Sequence, residues 1–325
     1  MRRRLGLAAL SSLPAWGLQR PARAAEPRPE RSMRLLLAYP AGGVSDEVAR
    51  LLAAGLGPRL GATLRVEPLP GAGGTLAMEA LARAPADGSV LAFSAITPLS
   101  VMPQLLAQRF DAQRDIAPVA AVMATPALLL GTPALPARRF DEMLALARQQ
   151  PERLRWASSG LGTTGHLLLA QVQRASGARF THVPYKGGGQ QLADALGGQF
   201  ELLSSNVAAQ QIAHVQAGRL QALAVGAPQR LAVLPEVATL AELGLPEANL
   251  VSVFGLFAPG ATPPALLDRL NAEVEALLAA GLLRERLLAT ANLPLGGSRA
   301  ALAQRIAEDR ARHRPVLRDL QGPAR

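Results

Sequence analysis

The stretch LLLAYPAGGVSDEVAR, residues 35–50, passes from an apolar run through a proline and two glycines into a mixed polar and apolar segment. Its apolar half predicts a buried β-strand, and Ser45 and Asp46 predict the start of an amphipathic helix because both residue types favour helix N-termini. Gly42 and Gly43 let the backbone approach a bound group without an intervening Cβ. The first turn of the helix adds unpaired N–H donors and a partial positive charge. Together these features predict a site that binds an anion.

The same order of strand, glycine turn and helix recurs three times, at Pro70–Thr75, Ser159–His166 and Lys186–Gly189. Open α/β sheets bind their ligands at the carboxyl ends of parallel strands, where such turns lie. One glycine turn is weak evidence for a ligand site. Two such turns in each half of the chain predict a ligand cleft between two halves.

Predicted strands and helices alternate along the chain, which indicates an α/β fold with a parallel or mixed sheet. Strands are predicted at Ser89–Ile96 and within Val119–Leu130, an almost unbroken apolar run typical of strands buried on both faces. Further strands are predicted at Leu64–Leu69, Leu154–Ser158 and Phe180–Tyr185, before the glycine turns, and at Phe200–Ser204, which ends at Ser205-Asn206. Helices are predicted over Val101–Ala107, Phe140–Gln149, Ala208–Ala217, Pro264–Ala279 and Arg299–Leu317, among others.

At 325 residues the chain is long enough for two α/β lobes, which fit better than one sheet of about ten strands. We assign residues 25–124 and 251–325 to lobe 1 and residues 125–250 to lobe 2. The chain is predicted to cross between the lobes near Ala124–Pro126 and again near Gly244–Leu250.

Residues 1–24 have the pattern of an export signal. Arg2, Arg3 and Arg4 form a basic start, Leu5–Leu18 is a short apolar segment, and Ala22-Arg23-Ala24 fits the small-x-small cleavage pattern. Fourteen residues interrupted by a proline are too few to span a bilayer comfortably. We therefore expect cleavage near Ala24 and a mature protein in the periplasm.

Composition excludes several classes of function. Five of the 34 basic residues lie in the export segment, so 29 remain against 24 acidic residues, a net charge of +5 without any basic run. With few aromatic residues as well, nucleic-acid binding is not expected. There is no cysteine, and the four histidines lack a close ligand spacing, so no metal site and no cofactor are predicted.

Two enzymatic functions are alternatives to ligand binding alone. Gly160–Gly165 reads G-x-G-x-x-G, but a dinucleotide site needs an acidic residue about 20 positions later, and the matching strand ends at Tyr185-Lys186 instead. An exported hydrolase acting on a carboxylate ester is the second alternative. It lacks a G-x-S-x-G elbow, and no base for Ser158 or Ser159 is identifiable in the sequence.

Several motifs taken together resemble the Bug family, the substrate-binding receptors of tripartite tricarboxylate transport systems. The matching segments are Tyr39–Gly43 with Asp46, Pro70–Gly74, Ala157–Thr163 with His166, His182–Gly187, Phe254–Pro259 and Arg269–Asn271. Their order and spacing extend the resemblance from about residue 33 to the C-terminal helix.

The resemblance implies a two-lobed periplasmic binding protein of the Venus flytrap type, with a ligand cleft between the lobes. Such a receptor closes on a small carboxylate, does no chemistry, and delivers the ligand to a membrane permease that this chain does not encode. We expect it to act as a monomer.

The resemblance also implies which residues hold the ligand. In lobe 1 they are Tyr39, Ala41, Gly42, Gly43 and Asp46, and in lobe 2 they are Ser158, Gly160, Thr163 and Thr164. Four further residues at predicted strand ends and turns complete the predicted set: Gly73, Thr97, Tyr185 and Asn206. The sequence departs from the family pattern at Val44, often glycine, and at Ser205, where an aspartate is common. Loss of that carboxylate disfavours a ligand that carries an ammonium group.

Overall fold

The computed structural model describes residues 31–279 and 281–321; the predicted export signal and its cleavage site lie outside this range. The strands are β1 (Arg31–Leu37), β2 (Ala62–Pro68), β3 (Val90–Ala95), β4 (Ile116–Gly131), β5 (Arg155–Ser158), β6 (Thr181–Pro184), β7 (Leu202–Asn206), β8 (Gln221–Gly226), β9 (Val251–Pro259) and β10 (Leu293–Pro294). The helices are α1 (Val44–Leu60), α2 (Thr75–Ala82), α3 (Thr97–Ser100), α4 (Met102–Leu105), α5 (Phe140–Gln149), α6 (Thr164–Ser176), α7 (Gly188–Leu196), α8 (Ala209–Gln216), α9 (Pro264–Ala279), α10 (Leu282–Ala289) and α11 (Arg299–Gln321).

The predicted α/β class is confirmed, and the sheet is mixed. In lobe 1, β1 pairs in parallel with β2 and β3, and β9 pairs antiparallel with β3 and β4. In lobe 2, β5 pairs in parallel with β6 and β7, and β4 runs antiparallel to β7 and β8. The parallel strands of each lobe therefore end at a common edge, where the predicted turns lie. Helices α1 and α9 bury their apolar faces on the sheet of lobe 1.

Strand β4 belongs to both lobes. Residues 116–126 pair with β9 in lobe 1, and residues 127–131 pair with β7 and β8 in lobe 2. All but one of its 16 residues are buried, because helices or strands cover both faces of the sheet. The apolar run predicted to form doubly buried strands is thus one long strand, and Pro126 lies where its partner changes.

The C-terminal helix α11 also packs against both lobes. Leu302 near its start belongs to a core cluster of lobe 1, whereas Val316 and Leu317 belong to a core cluster of lobe 2. The boundaries of the two lobes remain predictions, and α11 ties the two cores together beside β4.

The structure of residues 97–107 differs from the single helix predicted over Val101–Ala107. It forms two four-residue helices, α3 and α4, which meet at Val101. The break follows from Pro103, because proline has no N–H to donate to a carbonyl four residues earlier and its ring clashes there. The short β10, which pairs with β4, was not predicted.

Two histidines stack inside lobe 2, behind the loop that joins β5 to α6. The rings of His166 and His182 lie 4.2 Å apart at an angle of 15°. The Nδ1 atom of His166 accepts the Gly162 N–H at 3.2 Å, and the Nε2 atom of His182 lies 2.7 Å from the Ser158 hydroxyl oxygen. Burial and the neighbouring His182 lower the pKa of His166 to about 3. Burial lowers the pKa of His182 to about 4.

These pKa shifts make stability depend on pH. Between the ordinary histidine pKa of 6.5 and the lowered folded-state value of about 3, the unfolded chain binds a proton at His166 that the folded chain does not. The stabilisation is therefore fully present above pH 6.5 and is lost as the pH falls toward the folded-state value of about 3. We expect the free energy of unfolding of the wild type to fall more steeply across this range than that of His166→Gln. The difference should approach about 1.4 kcal/mol per pH unit. Equal slopes in urea titrations at pH 7, 6, 5 and 4.5 would contradict this expectation.

Candidate functional site

A cavity of about 380 Å³ lies between the two lobes and is called the cleft below. Lobe 1 contributes the loop between β1 and α1, the first turn of α1, and Thr97, Ser252 and Phe254. Lobe 2 contributes the starts of α6, α7 and α8 and the end of β7. The cleft therefore lies at the carboxyl ends of parallel strands from both sheets.

The β1–α1 loop is held in shape by Asp46. Its Oδ2 atom accepts the Gly42 N–H at 3.0 Å, and its Oδ1 atom lies 3.0 Å from Nε of Arg50. Gly42 has a φ of +88°, a value that residues other than glycine rarely adopt. Gly43 has a φ of −92°. The backbone thus requires a glycine at position 42 only. A Cβ built on Gly43 would meet nothing closer than the Ser45 hydroxyl at 4.0 Å.

Tyr39 lines the cleft with an apolar aromatic ring that carries a polar hydroxyl group. Its ring packs against Phe254 with ring centres 5.7 Å apart, and its hydroxyl lies among Ser94, Thr97 and the backbone of Ala95. Burial raises the pKa of Tyr39 to about 12. The phenol therefore stays protonated at physiological pH, and it adds no negative charge that would repel an anion.

The β5–α6 loop of lobe 2 is braced by its own side chains. The Thr163 hydroxyl donates to the carbonyl of Gly160 at 2.8 Å, and the Ser158 hydroxyl accepts the Gly160 N–H at 3.2 Å. Thr163 and Thr164 line the cleft, as does Ser159. The Thr163 hydroxyl proton is already used, so what this loop offers a ligand is chiefly its backbone N–H groups and the Thr164 side chain.

Four helices point their N-termini at the cleft. The first residues of α1, α6, α7 and α8 all line it. None of the four has a side-chain hydrogen bond capping its N-terminus; their cap positions are Gly43, Thr163, Gly187 and Ala208. Each helix therefore directs unpaired N–H donors and a partial positive charge into the same space. That arrangement favours a bound anion.

The structure brings together eight of the thirteen residues predicted to bind ligand. Those that line the cleft are Tyr39, Gly42, Gly43, Asp46, Thr97, Thr163, Thr164 and Asn206. Five others lie outside its lining: Ala41, Gly73, Ser158, Gly160 and Tyr185.

The structure shows the contacts or exposure of each of these five residues. Ala41 is exposed at the cleft mouth. A Cβ on Gly73 would lie 2.5 Å from the Leu161 carbonyl oxygen of lobe 2, so Gly73 permits a close contact between lobes. Ser158 and Gly160 support the loop behind the cleft. The Tyr185 hydroxyl donates to Asp194 at 2.7 Å, and its ring packs on Phe200.

The first turn of α8 was missed in the sequence. It supplies Gln210 and Gln211 to the cleft, next to Ser205 at the end of β7. This connection does not have the pattern of strand, glycine turn and helix, because residues 205–209 contain no glycine. The signal that could have found it is the predicted strand ending at Ser205-Asn206, followed directly by a predicted helix. Arg50, Ser252 and Phe254 are further cleft residues that were not predicted.

The geometry does not favour the two enzymatic alternatives. Ser158 lies 2.7 Å from His182, but it is 0% exposed and lies behind the cleft, so a substrate cannot reach its hydroxyl. In the G-x-G-x-x-G segment, a Cβ on Gly162 would lie 2.3 Å from Sδ of Met102, and one on Gly165 would lie 2.8 Å from the Ser204 hydroxyl. Protein atoms occupy the space that a pyrophosphate would need.

Comparison with known proteins identifies the family. Residues 48–321 match the model of the tripartite tricarboxylate transporter family receptor. The chain is 33% identical over 259 residues to protein BugT of Bordetella pertussis, an alignment that covers 78% of each chain.

Solved structures agree with the sequence matches. MatC from Rhodopseudomonas palustris, solved with bound malate, superposes with a TM-score of 0.83 at 28% identity, covering 90% of this chain and 100% of that one. A second R. palustris protein, solved with adipate, gives a TM-score of 0.83 at 30% identity, covering 89% and 96%. The expected two-lobed solute-binding fold is therefore confirmed, and the chain belongs to the Bug family of tripartite tricarboxylate transporter receptors.

Proposed function

We propose that this protein is an extracytoplasmic receptor that captures a small carboxylate in the cleft and delivers it to a membrane permease. The observation that carries the proposal is the convergence of four uncapped helix N-termini on one cavity. Relatives of similar fold were solved with malate and adipate, both carboxylates. The receptor binds and releases its ligand without chemistry, and acts as a monomer.

The charges around the cleft fit a carboxylate that is held mainly by backbone donors. Among the described residues, the charged side chains lining it are Asp46, Glu47 and Arg50. Arg50 is paired with Asp46 and is exposed at the mouth. In the part of the chain that the structure describes, the interior of the cleft therefore holds no free cationic side chain, and the N–H groups of the four helices supply the attraction for an anion.

Contacts between the lobes support capture by closure. A Cβ on Gly187 of lobe 2 would lie 2.3 Å from Cδ of Pro40 in lobe 1. Gly73 of lobe 1 meets the Leu161 carbonyl of lobe 2 in the same manner. Both contacts are so close that only glycine fits, which is what a state with the lobes closed over the cleft requires. A ligand that touches both lobes favours that state.

Export and permease coupling follow from the sequence pattern and the family. The predicted signal within residues 1–24 would send the mature chain to the periplasm. Among the described residues, no helix has both the length and the apolar character needed to cross a membrane. Because the family is one of transporter receptors, we propose that the ligand passes to a separate membrane protein.

A thermal-shift screen tests the ligand class. We expect some mono- or dicarboxylates to raise the melting temperature, because a ligand present at 100 times its Kd adds about 2.7 kcal/mol to the free energy of unfolding. Neutral sugars and amines should leave it unchanged. A screen in which only sugars or cations stabilise the protein would overturn the proposal. Incubation with carboxylate esters, followed by assay for the free acid, would detect the hydrolase alternative.

The substitution Gly43→Ala tests the β1–α1 loop. The residue has an ordinary φ, and an added Cβ would meet no close neighbour, so the free energy of unfolding should change by less than about 0.5 kcal/mol. The new methyl group would project at the start of α1, where the ligand binds. We expect calorimetry to show affinity reduced at least tenfold, which corresponds to about 1.4 kcal/mol. Unchanged affinity would mean that the ligand does not approach this loop.

The substitution Gly187→Ala tests closure. Its φ of 164° is extended backbone that alanine adopts freely, so the methyl group conflicts only with Pro40 of the other lobe. We expect affinity to fall tenfold or more, and small-angle scattering to show that added ligand no longer compacts the protein.

Gly197→Ala is the matched control for this substitution. Gly197 ends the same helix with a φ of −82°, and its added Cβ would make only ordinary contacts of 3.6 Å or more. It should bind ligand as the wild type does. Wild-type affinity and compaction in Gly187→Ala would show that the contact with Pro40 is not part of the bound state.

A further inference from the structure

The backbone of the β5–α6 loop is held from behind at two glycines. Gly160 has a φ of +134° and Gly162 a φ of +69°, conformations that residues other than glycine rarely adopt. The Gly162 N–H donates to Nδ1 of His166 at 3.2 Å. The Gly160 N–H donates to the Ser158 hydroxyl oxygen at 3.2 Å, and that oxygen lies 2.7 Å from Nε2 of His182. Both glycines are therefore connected to a histidine, one directly and one through a serine.

The two histidines form a stacked pair that lies behind the cleft. Their rings are 4.2 Å apart, His166 is 4% exposed, and neither residue lines the cleft. Because the Gly162 N–H can only donate, Nδ1 of His166 has to be an acceptor, and the proton of this imidazole is on Nε2. Burial and the neighbouring ring lower the pKa of His166 to about 3. The acceptor on Nδ1 is therefore available at neutral pH.

The other side of the same loop faces the cleft and lobe 1. Ser159, Thr163 and Thr164 line the cleft, and the N-terminus of α6 is directed into it. Between these residues, the carbonyl oxygen of Leu161 lies so close to Gly73 of lobe 1 that a Cβ there would be 2.5 Å away. A change in the shape of this loop would therefore alter both the donors that face the cleft and the contact between the lobes.

We infer that His166 and His182 are positioning residues, which hold the β5–α6 loop in the shape that binds a carboxylate and meets lobe 1. Neither histidine touches the ligand; both act through the loop. The inference rests on the proposed function, since the N–H groups of the loop have an anion to bind only if the cleft is a carboxylate site.

The nitrogen atoms of the two rings, and not only their bulk, are what this role requires. An aliphatic side chain at position 166 would fill much of the same space but leave the buried Gly162 N–H without its acceptor. An unpaired buried N–H is costly, so the loop would shift to pair it elsewhere. A role in packing alone would need the volume of the ring and no acceptor.

The test compares substitutions that keep or remove the acceptor. His166→Leu removes it, whereas His166→Asn places an amide oxygen near the position of Nδ1. Calorimetry would measure the affinity of the full chain for malate, for adipate and for the acid that gives the largest shift in the thermal-shift screen. We expect affinity to fall at least tenfold in His166→Leu and to stay within threefold of the wild type in His166→Asn. At position 182, leucine should weaken binding in the same way, and glutamine, whose amide reaches the position of Nε2, should preserve it.

A measurement without any acid checks the loop itself. Amide hydrogen exchange followed by mass spectrometry should be faster over residues 159–165 in His166→Leu than in the wild type, and unchanged in His166→Asn. Met143→Ala is the control for a general loss of stability, because Met143 is fully buried in a core cluster of lobe 2 and lies on α5. It should lower the melting temperature and leave affinity as in the wild type.

Each failure has a distinct signature. Wild-type affinity in either leucine variant would overturn the role of that histidine, as would unchanged hydrogen exchange in His166→Leu, and the proposed function would stand. A loss of affinity in His166→Asn or Met143→Ala as large as that in His166→Leu would assign the effect to packing or stability, and would also overturn the inference. A wild type that binds no carboxylate in the thermal-shift screen would reject the proposed function, and the inference with it.

Discussion

The backbone hydrogen bonds of β4 hold the two lobes in one continuous ladder. Along one edge of β4, the pairing partner changes from β9 to β8 between Pro126 and Ala127. Along the other edge, pairing with β7 begins at Ala127. Proline cannot donate to a ladder, so it fits the position where one partner ends and the next begins. The cleft opens beside this position, because Ser252 and Asn206, which line it, pair with β4 at Thr125 and Ala127. A strand this deeply buried cannot act as a loose linker.

Much of the fold could be predicted from periodicity and turn chemistry. Helices α5 and α9 have the predicted bounds, and the strands that precede the glycine turns lie within a few residues of their predicted positions. The division of lobe 1 into two chain segments stays a prediction. What periodicity could not give was the single long β4, since an apolar run is compatible with one strand or two. Periodicity also could not show that α11 packs on both cores. The pattern identifies the apolar positions of a helix but not the residues against which they pack.

The site was predicted unevenly, for physical reasons. The glycine turns that begin α1, α6 and α7 were identified because glycine marks a close approach of backbone to ligand. At Gly73 and Gly160, which are also predicted to bind the ligand, the close neighbour in the structure is protein. The turn into α8 contains no glycine and was missed. Lys186, the only lysine in the chain, begins one of the predicted glycine turns. Its side chain is exposed and does not line the cleft. The sequence indicates where the backbone can approach another group closely. The packing of the folded chain determines whether that group is protein or lies in the cleft.

The division of labour in the cleft has a consequence for how receptors of this kind diversify. On the proposed mode of binding, main-chain N–H groups at helix starts hold the negative charge of the ligand, and these donors persist through almost any substitution that preserves the helices. The side chains around them are free to change shape and polarity without dismantling that positive field. On the proposed mode of binding, a change of side chains at the wall alters which organic acid fits, while the helix starts continue to hold its negative charge. Receptors can therefore share one architecture and bind different acids, and two relatives of this fold were solved with malate and with adipate.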